Sequence, residues 1–354
     1  MITLYSYIVQ YLHKADLRMK FLSFCTKTLH NLPAEISHWV ALNSLKLLYL
    51  LGILNFIIPK SEQSTQVGDD NFLDIEKYKH FKQRIGFAAG LDKNGDFIDS
   101  LASLGVSFIE LGTVTPVAQK GNSRPRLIRD KKNYALVNKM GFNNKGVEYL
   151  VKKIKKRKST IPLGISIGKN FNTPIENAYL DYLICLEKVY PYASYIAVNI
   201  SSPNTKNLRT LSETVSFDFL LDKVKQKQIE LAKNNKYKPL LVKVSPDEDV
   251  DQIHQICNLI KKHSIDGIIC TNTSVDHHHK MQGGLSGRPL ADKSTKVLAL
   301  ARDILGDNFL VIASGGVMSK EIYKEKLAAG ADLVQIYTGF IYEGPKLIQD
   351  ILEV

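Results

Sequence analysis

From about residue 84 onward the chain alternates short apolar runs with longer stretches of helical period. The runs read IGFAAG (85–90), FIELG (108–112), LGISIG (163–168), YIAVNI (195–200), LLVKV (240–244), GIICTN (267–272), FLVIASGG (309–316) and LVQIYTG (333–339). Each has the length of a strand. Between them, Ala178–Val189, Phe217–Ala232 and Val250–Lys262 repeat apolar residues at helical spacing. Eight strands, each followed by a helix, predict an α/β fold of the (β/α)8 TIM barrel type. An open doubly wound sheet would place a GxGxxG turn after an early strand, and GLDKNG (90–95) lacks that spacing.

Residues 1–58 have a different pattern. MITLYSYIVQYL and MKFLSFCTKTL are short, apolar and helix-compatible, and Trp39–Ile58 has the length of a membrane span. Asn43, Ser44, Lys46 and Asn55 interrupt that span, and a central lysine costs roughly 3 kcal/mol on insertion. Amphipathic helices lying in a membrane interface fit the mixture better, and a helical hairpin packed on its own domain is the alternative. Neither a signal-peptide cleavage site nor the Arg and Ser richness of an import signal is present, which favours a bacterial inner membrane, bound peripherally on its cytoplasmic face. The polar stretch 59–71, with Pro and Gly, reads as a linker. The expected organisation is therefore a membrane-associating helical region (1–58), a linker leading into the barrel (59–83) and a barrel domain (84–354).

Composition narrows the chemistry. In 354 residues, 44% hydrophobic and 23% charged positions describe a packed globular chain. The formal charge of +12 is spread over many lysines, and its densest run, KKIKKRK (152–158), lacks interleaved aromatics. A solvated helix face explains that run better than a nucleic-acid patch, and no nucleic acid partner is expected. Four cysteines without a CxxC pair exclude a disulfide framework and a structural zinc pattern. HHH (277–279) points its side chains in different directions with no carboxylate pair nearby, so it reads as a polar loop and no metal is expected.

In barrels of this kind the reacting groups sit at the C-terminal ends of the strands. Here those ends carry Lys93, Thr113, Ser166, Asn199, Lys243, Thr271 with Asn272, Ser314, and Tyr337 with Thr338. The set is rich in amides and hydroxyls and poor in carboxylates, with only Asp92 and Glu110 nearby, which argues against a glycosidase pair or a two-metal centre. Asparagine offers a donor and an acceptor in one plane and suits a flat heterocycle. The glycines of SGG (314–316) and TGF (338–340) leave backbone N–H groups open to a phosphate. An aldolase forming a Schiff base on Lys243 would be the competing enzyme, and a barrel that has lost turnover the non-enzymatic alternative.

The strings AAGLDKNG, ELGTVTP, GNSRPRL, NKMGFNNKG, NISSPNTKNLR, VKVSP, CTNTS, GGLSGRPL, ASGGV and LVQIYTGFIYEGP, in this order from about residue 84 to 350, together closely resemble dihydroorotate dehydrogenases of the membrane-bound, quinone-linked class. The resemblance implies an enzyme that uses flavin mononucleotide (FMN) to oxidise dihydroorotate to orotate in pyrimidine biosynthesis. Electrons would pass to ubiquinone or menaquinone, with the membrane surface met through the N-terminal helices. By motif, Ala89, Gly90, Lys93, Thr113, Ser166, Asn199, Lys243, Thr271, Gly287, Gly316, Tyr337 and Thr338 would contact the flavin. Ser166 stands where the family commonly has asparagine. The substrate would meet Lys93, Asn138, Lys139, Met140, Gly141, Phe142, Asn199, Asn204, Asn272 and Thr273. Ser202 would be the base, with a water path beside Thr205 and Phe142 carrying its proton away.

Overall fold

The computed structural model describes residues 15–54, 58, 84–202, 204 and 215–352. Segment 1–12, the linker 59–71 and Thr205 lie outside the described residues.

The helices α1 (Ala15–Leu29) and α2 (Ala34–Leu50) precede β1 (Ile85–Phe87) and the short α3 (Ile98–Ala102). There follow β2 (Phe108–Val114), β3 (Leu127–Asp130), β4 (Ala135–Asn138), α4 (Val147–Ile154), β5 (Leu163–Ile167) and α5 (Ala178–Val189). The chain continues through β6 (Tyr195–Asn199), α6 (Val215–Ala232), β7 (Leu240–Val244), α7 (Val250–Lys262), β8 (Gly267–Cys270) and β9 (Gly284–Gly287). It ends with α8 (Ala291–Leu305), β10 (Leu310–Ser314), α9 (Lys320–Ala328), β11 (Leu333–Ile336), α10 (Thr338–Glu343) and α11 (Pro345–Leu352).

All eight predicted strands are present and close into one parallel barrel in the order β1, β2, β5, β6, β7, β8, β10, β11. The fold is thus a (β/α)8 barrel preceded by two helices. Every residue of these barrel strands is buried, because helices cover the outside and side chains fill the inside. Phe108, Tyr195, Leu241, Ile269, Ile312 and Leu333 form the inner cluster. Gly164 on β5 makes room for one of them, since a Cβ there would lie 2.1 Å from the Tyr195 ring.

The helices form for local reasons. On α7 the residues Ile253, Ile256, Cys257 and Ile260 recur at helical spacing and are buried. Asp249 caps its first turn, taking the Gln252 N–H at 2.8 Å while the Gln252 side chain takes the Asp249 N–H at 2.8 Å. Each buried isoleucine contributes about 1.5–3 kcal/mol, so a charge at Ile256 would undock the helix. On α4 the apolar Val147, Leu150, Val151 and Ile154 face inward. Lys152, Lys155 and Lys156 are consequently exposed, as expected of a solvated face.

Two features were not legible. The strands β3, β4 and β9 form a separate antiparallel three-stranded sheet, inserted after β2 and β8 and lying over the barrel mouth. At the other boundary, the apolar stretch 39–58 does not make one long helix: α2 stops at Leu50, and Gly52 follows with φ 72°. No described helix is long and apolar enough to cross a membrane. Lys46 turns inward instead, its Nζ donating to Asp96 O at 3.0 Å. In the HHH segment, His277 Nε2 bonds to Gly283 O at 3.0 Å and His279 Nε2 lies 3.5 Å from an Asp130 carboxylate oxygen.

Candidate active site

The C-terminal ends of the barrel strands open into a cavity of about 1000 Å³, part of it open to solvent. Of the residues singled out from sequence, Ala89, Gly90, Lys93, Thr113, Asn199, Lys243, Thr271, Gly287, Gly316, Tyr337 and Thr338 line it. So do Asn138, Met140, Gly141, Phe142, Ser202, Asn204, Asn272 and Thr273. Ser166 and Lys139 do not. Ser166 is fully buried one layer behind, its hydroxyl sharing a 2.8 Å hydrogen bond with Thr113 Oγ1. Lys139 contributes its backbone, donating its N–H to Arg126 O at 2.9 Å and accepting from Asn122 Nδ2 at 2.9 Å.

The amides are held by one another. Asn199 Nδ2 donates to Thr113 Oγ1 at 2.8 Å, and Asn272 Nδ2 donates to Asn199 Oδ1 at 3.3 Å and Ser201 Oγ at 3.1 Å. A shift in register after Gly112 on β2 brings Thr113 into this chain. On the opposite wall Asn204 Nδ2 donates to Asn138 Oδ1 at 3.1 Å, and Asn138 in turn donates to Gly284 O at 3.2 Å. The β4 and β9 strands therefore act as a lid whose polar edge faces the amides of the barrel rim.

Beneath the cavity lies a buried polar cluster. Lys243 Nζ is 3.3 Å from Glu110 Oε1, and the other Glu110 oxygen accepts from Tyr195 OH at 2.8 Å and Gln335 Nε2 at 2.6 Å. Gln335 also lines the cavity, and its buried Oε1 has no hydrogen-bond partner. Lys243 is thus held against a buried carboxylate beneath the cavity. A partner amide or N–H from a bound heterocycle would satisfy the Gln335 oxygen. In the cavity wall, Lys93 donates to Gly90 O at 3.0 Å. Burial, and then the Arg126 charge, push its ammonium down to about 8.

One end of the cavity is rich in glycine. Gly315, Gly316, Thr338 and Gly339 line it, with Leu290 just before α8. Gly316, at φ 75°, is pressed so closely on α8 that a Cβ would lie 2.5 Å from Ala291 N. Thr338 Oγ1 donates to Ser286 Oγ at 2.8 Å. Ser286 and Gln335 are lining residues that the sequence did not single out. Gln335 lies inside a run that reads as apolar core, and Ser286 sits in a strand too short and too glycine-rich to show alternation.

Ser202 is 6% exposed, and its Oγ accepts a 3.4 Å hydrogen bond from Asn204 N. Among the described residues that line the cavity there is no carboxylate or histidine.

A second cavity, of about 960 Å³, lies between α1, α2 and the barrel. Its walls are mainly apolar, including Leu22, Leu29, Leu45, Leu48 and Phe340, with His30, His38 and Arg129 as polar points. Arg129 Nη1 donates to His30 O at 3.0 Å, while its buried Nε is unpartnered. Burial lowers the His38 imidazole to about 4, and the Lys93 charge acts in the same direction, so it is neutral at pH 7. The docking of α2 rests on Glu35, whose carboxylate meets buried Arg126 at 2.7 Å and Arg124 at 3.3 Å.

Residues 76–354 match the family described as dihydroorotate dehydrogenase. The dihydroorotate dehydrogenase (quinone) of Vibrio parahaemolyticus is 52% identical over 281 residues, covering 77% of this chain and 84% of that protein. That of Neisseria meningitidis is 45% identical over 335 residues, covering 92% of this chain and 97% of that protein. Among solved structures, DHODH from Eimeria tenella in complex with ferulenol superposes with a TM-score of 0.78 at 27% identity, covering 90% of each chain. The chain belongs to the dihydroorotate dehydrogenase family, in its quinone-dependent class.

Proposed function

We propose that the first cavity binds FMN and dihydroorotate face to face, and that the enzyme oxidises dihydroorotate to orotate and passes the electrons to a membrane quinone. The observation that carries this reading is the convergence in one cavity of four asparagines, two lysines, a buried serine and a glycine-rich end, with no carboxylate among its described lining residues. The flavin, when bound, would supply the acceptor for a hydride from the substrate ring. The protein's part is to bind, orient and move one proton.

In this reading Asn138, Asn199, Asn204 and Asn272 take the amide edges of the substrate without competing for its proton. Lys93 faces its carboxylate, and the phosphate lies against Gly315, Gly316 and Gly339. Lys243, braced by Glu110, would favour negative charge on the cofactor when it is bound. Ser166 supports the flavin through Thr113 rather than by touching it. Ser202 is the base that removes the proton next to the ring carbonyl. A serine hydroxyl is weak in that role, and the Asn204 N–H donated to its oxygen favours the negative charge that develops there as its proton leaves.

The second cavity is proposed as the quinone's, its apolar walls taking the ring and tail and Arg129 a carbonyl oxygen. Residues 1–58 then form the membrane-associating region ahead of the linker and barrel. Exposed Phe24, Ile36, Trp39, Leu47, Leu50 and Leu51 on and just after α1 and α2 support a surface that rests on a bilayer. The test is an anaerobic visible spectrum of the purified protein. Dihydroorotate should bleach the flavin band and a quinone should restore it; a colourless protein, or a yellow one that dihydroorotate leaves unbleached, overturns the reading.

A further inference from the structure

Lys326, on the outer helix α9, is completely buried. Its ammonium donates three hydrogen bonds, to Ala291 O at 3.0 Å, Ser294 Oγ at 2.6 Å and Thr295 Oγ1 at 2.7 Å. All three acceptors are uncharged and all lie in the first turns of α8. Among the described residues no carboxylate comes within 4.0 Å of it. The buried Cys270 thiol, raised by its own burial and so uncharged at pH 7, and the exposed Glu325 and Asp292 act on it without a hydrogen bond. Burial pushes this ammonium down to about 8, so at pH 7 it is still charged.

A lysine buried without a counter-charge is costly, and proteins keep such charges where something else supplies the balance. The place of Lys326 indicates what that is. The turn of α8 that it holds forms the back of the glycine-rich end of the cavity. Ser294, which accepts from Lys326, bonds in turn to Gly315 O at 3.0 Å, and Ala291 is packed against Gly316. One layer of backbone thus separates the ammonium from the glycines proposed to receive the phosphate. In a dry setting a charge acts across such a layer far more strongly than it would through water.

We infer that Lys326 is the buried counter-charge of the cofactor's phosphate, a positioning residue that sets the α8 turn and makes the site select a phosphorylated flavin over the free one. This rests on the FMN reading above and adds to it a residue that does not touch the cavity. Hydroxyl and carbonyl acceptors leave the positive charge of Lys326 uncompensated, whereas a phosphate dianion compensates it. Riboflavin has the same ring and ribityl chain without the dianion, so it is the natural comparison.

The experiment titrates the full-length chain, freed of flavin, with FMN and with riboflavin, following quenching of flavin fluorescence. In Lys326→Met the FMN Kd should rise about ten- to hundredfold, the usual size of a coupling between two sites, while the riboflavin Kd stays unchanged. Inorganic phosphate should raise the thermal midpoint of the wild-type chain and not that of the variant. Equal losses for both flavins, or none for either, would overturn the inference and make Lys326 purely structural. Lys326→Gln, which keeps N–H donors for the same oxygens, takes the place of the methionine variant if that one does not fold. Failure of both to fold with FMN at saturation would assign Lys326 to the scaffold and end the proposal. A wild-type chain that binds neither flavin would instead remove the FMN reading itself.

Discussion

The ammonium of Lys243 on β7 and the carboxylate of Glu110 on β2 meet at 3.3 Å inside the barrel, with side-chain exposures of 7% and 0%. Tyr195 and Gln335 complete the shell of Glu110, so the carboxylate fixes Lys243 under the cavity. Removing one member of a buried pair strands the other charge, at a cost of roughly 3–5 kcal/mol. Glu110→Ala should therefore lower the urea unfolding free energy by about that amount. An unchanged midpoint and slope would mean that Lys243 is anchored elsewhere.

Ser202→Ala should leave the flavin spectrum and substrate affinity intact and slow flavin reduction by dihydroorotate about 10²–10⁴-fold, the loss typical of a general base. Stopped-flow reduction under anaerobic conditions measures this directly. A variant that reduces its flavin at the wild-type rate would remove Ser202 from the mechanism.

Burial acts to raise the Glu35 carboxyl, yet hydrogen bonds and charge from Arg126 and Arg124 hold it below its ordinary value of 4.5. A carboxyl depressed in this way stabilises the docked α2 above pH 4.5, and the contribution fades as pH falls through the lower, folded value. Trp39, the single tryptophan, borders the same cleft as Glu35 and reports the docking. Its fluorescence should show an acid transition in the wild type that Glu35→Gln lacks. Superimposable acid titrations of the two proteins would refute the assignment.

Ala41 lines the second cavity beside Leu42 and Leu45. Ala41→Trp should fill that space, raising the KM for a long-chain quinone at least about tenfold while leaving the dihydroorotate half-reaction untouched, because a 1.4 kcal/mol loss of binding already gives that factor. Deletion of residues 1–58 should likewise spare flavin reduction and abolish turnover with long-chain quinone. Unaltered quinone kinetics in both variants would place the acceptor somewhere other than between α1, α2 and the barrel.

Much of the barrel could be read from the chain because strand and helix periods are local. The α5 and α7 boundaries coincide with Ala178–Val189 and Val250–Lys262, and α6 begins two residues before the expected Phe217. The residues that line the cavity follow the same logic, since a strand's last polar side chain falls on the open face of the barrel wherever the strand ends. Ser166 was the exception. Its sequence position matches that of a rim residue, but the Thr113 side chain stands between it and the cavity. Lys139 likewise lies in a motif yet turns its backbone to Arg126 and Asn122.

By itself the sequence determined the eight barrel strands, the amide-rich rim and the apolar character of the first 58 residues, because each depends on neighbours close in the chain. Tertiary structure alone decided the rest. The lid pairs Leu136 with Ser286 and so joins strands that no local period links. The Glu110–Lys243 pair and the three acceptors of Lys326 exist only once the barrel has closed. Charge compensation and hydrogen-bond satisfaction depend on distance in space, and chain closure sets that distance between residues far apart in sequence.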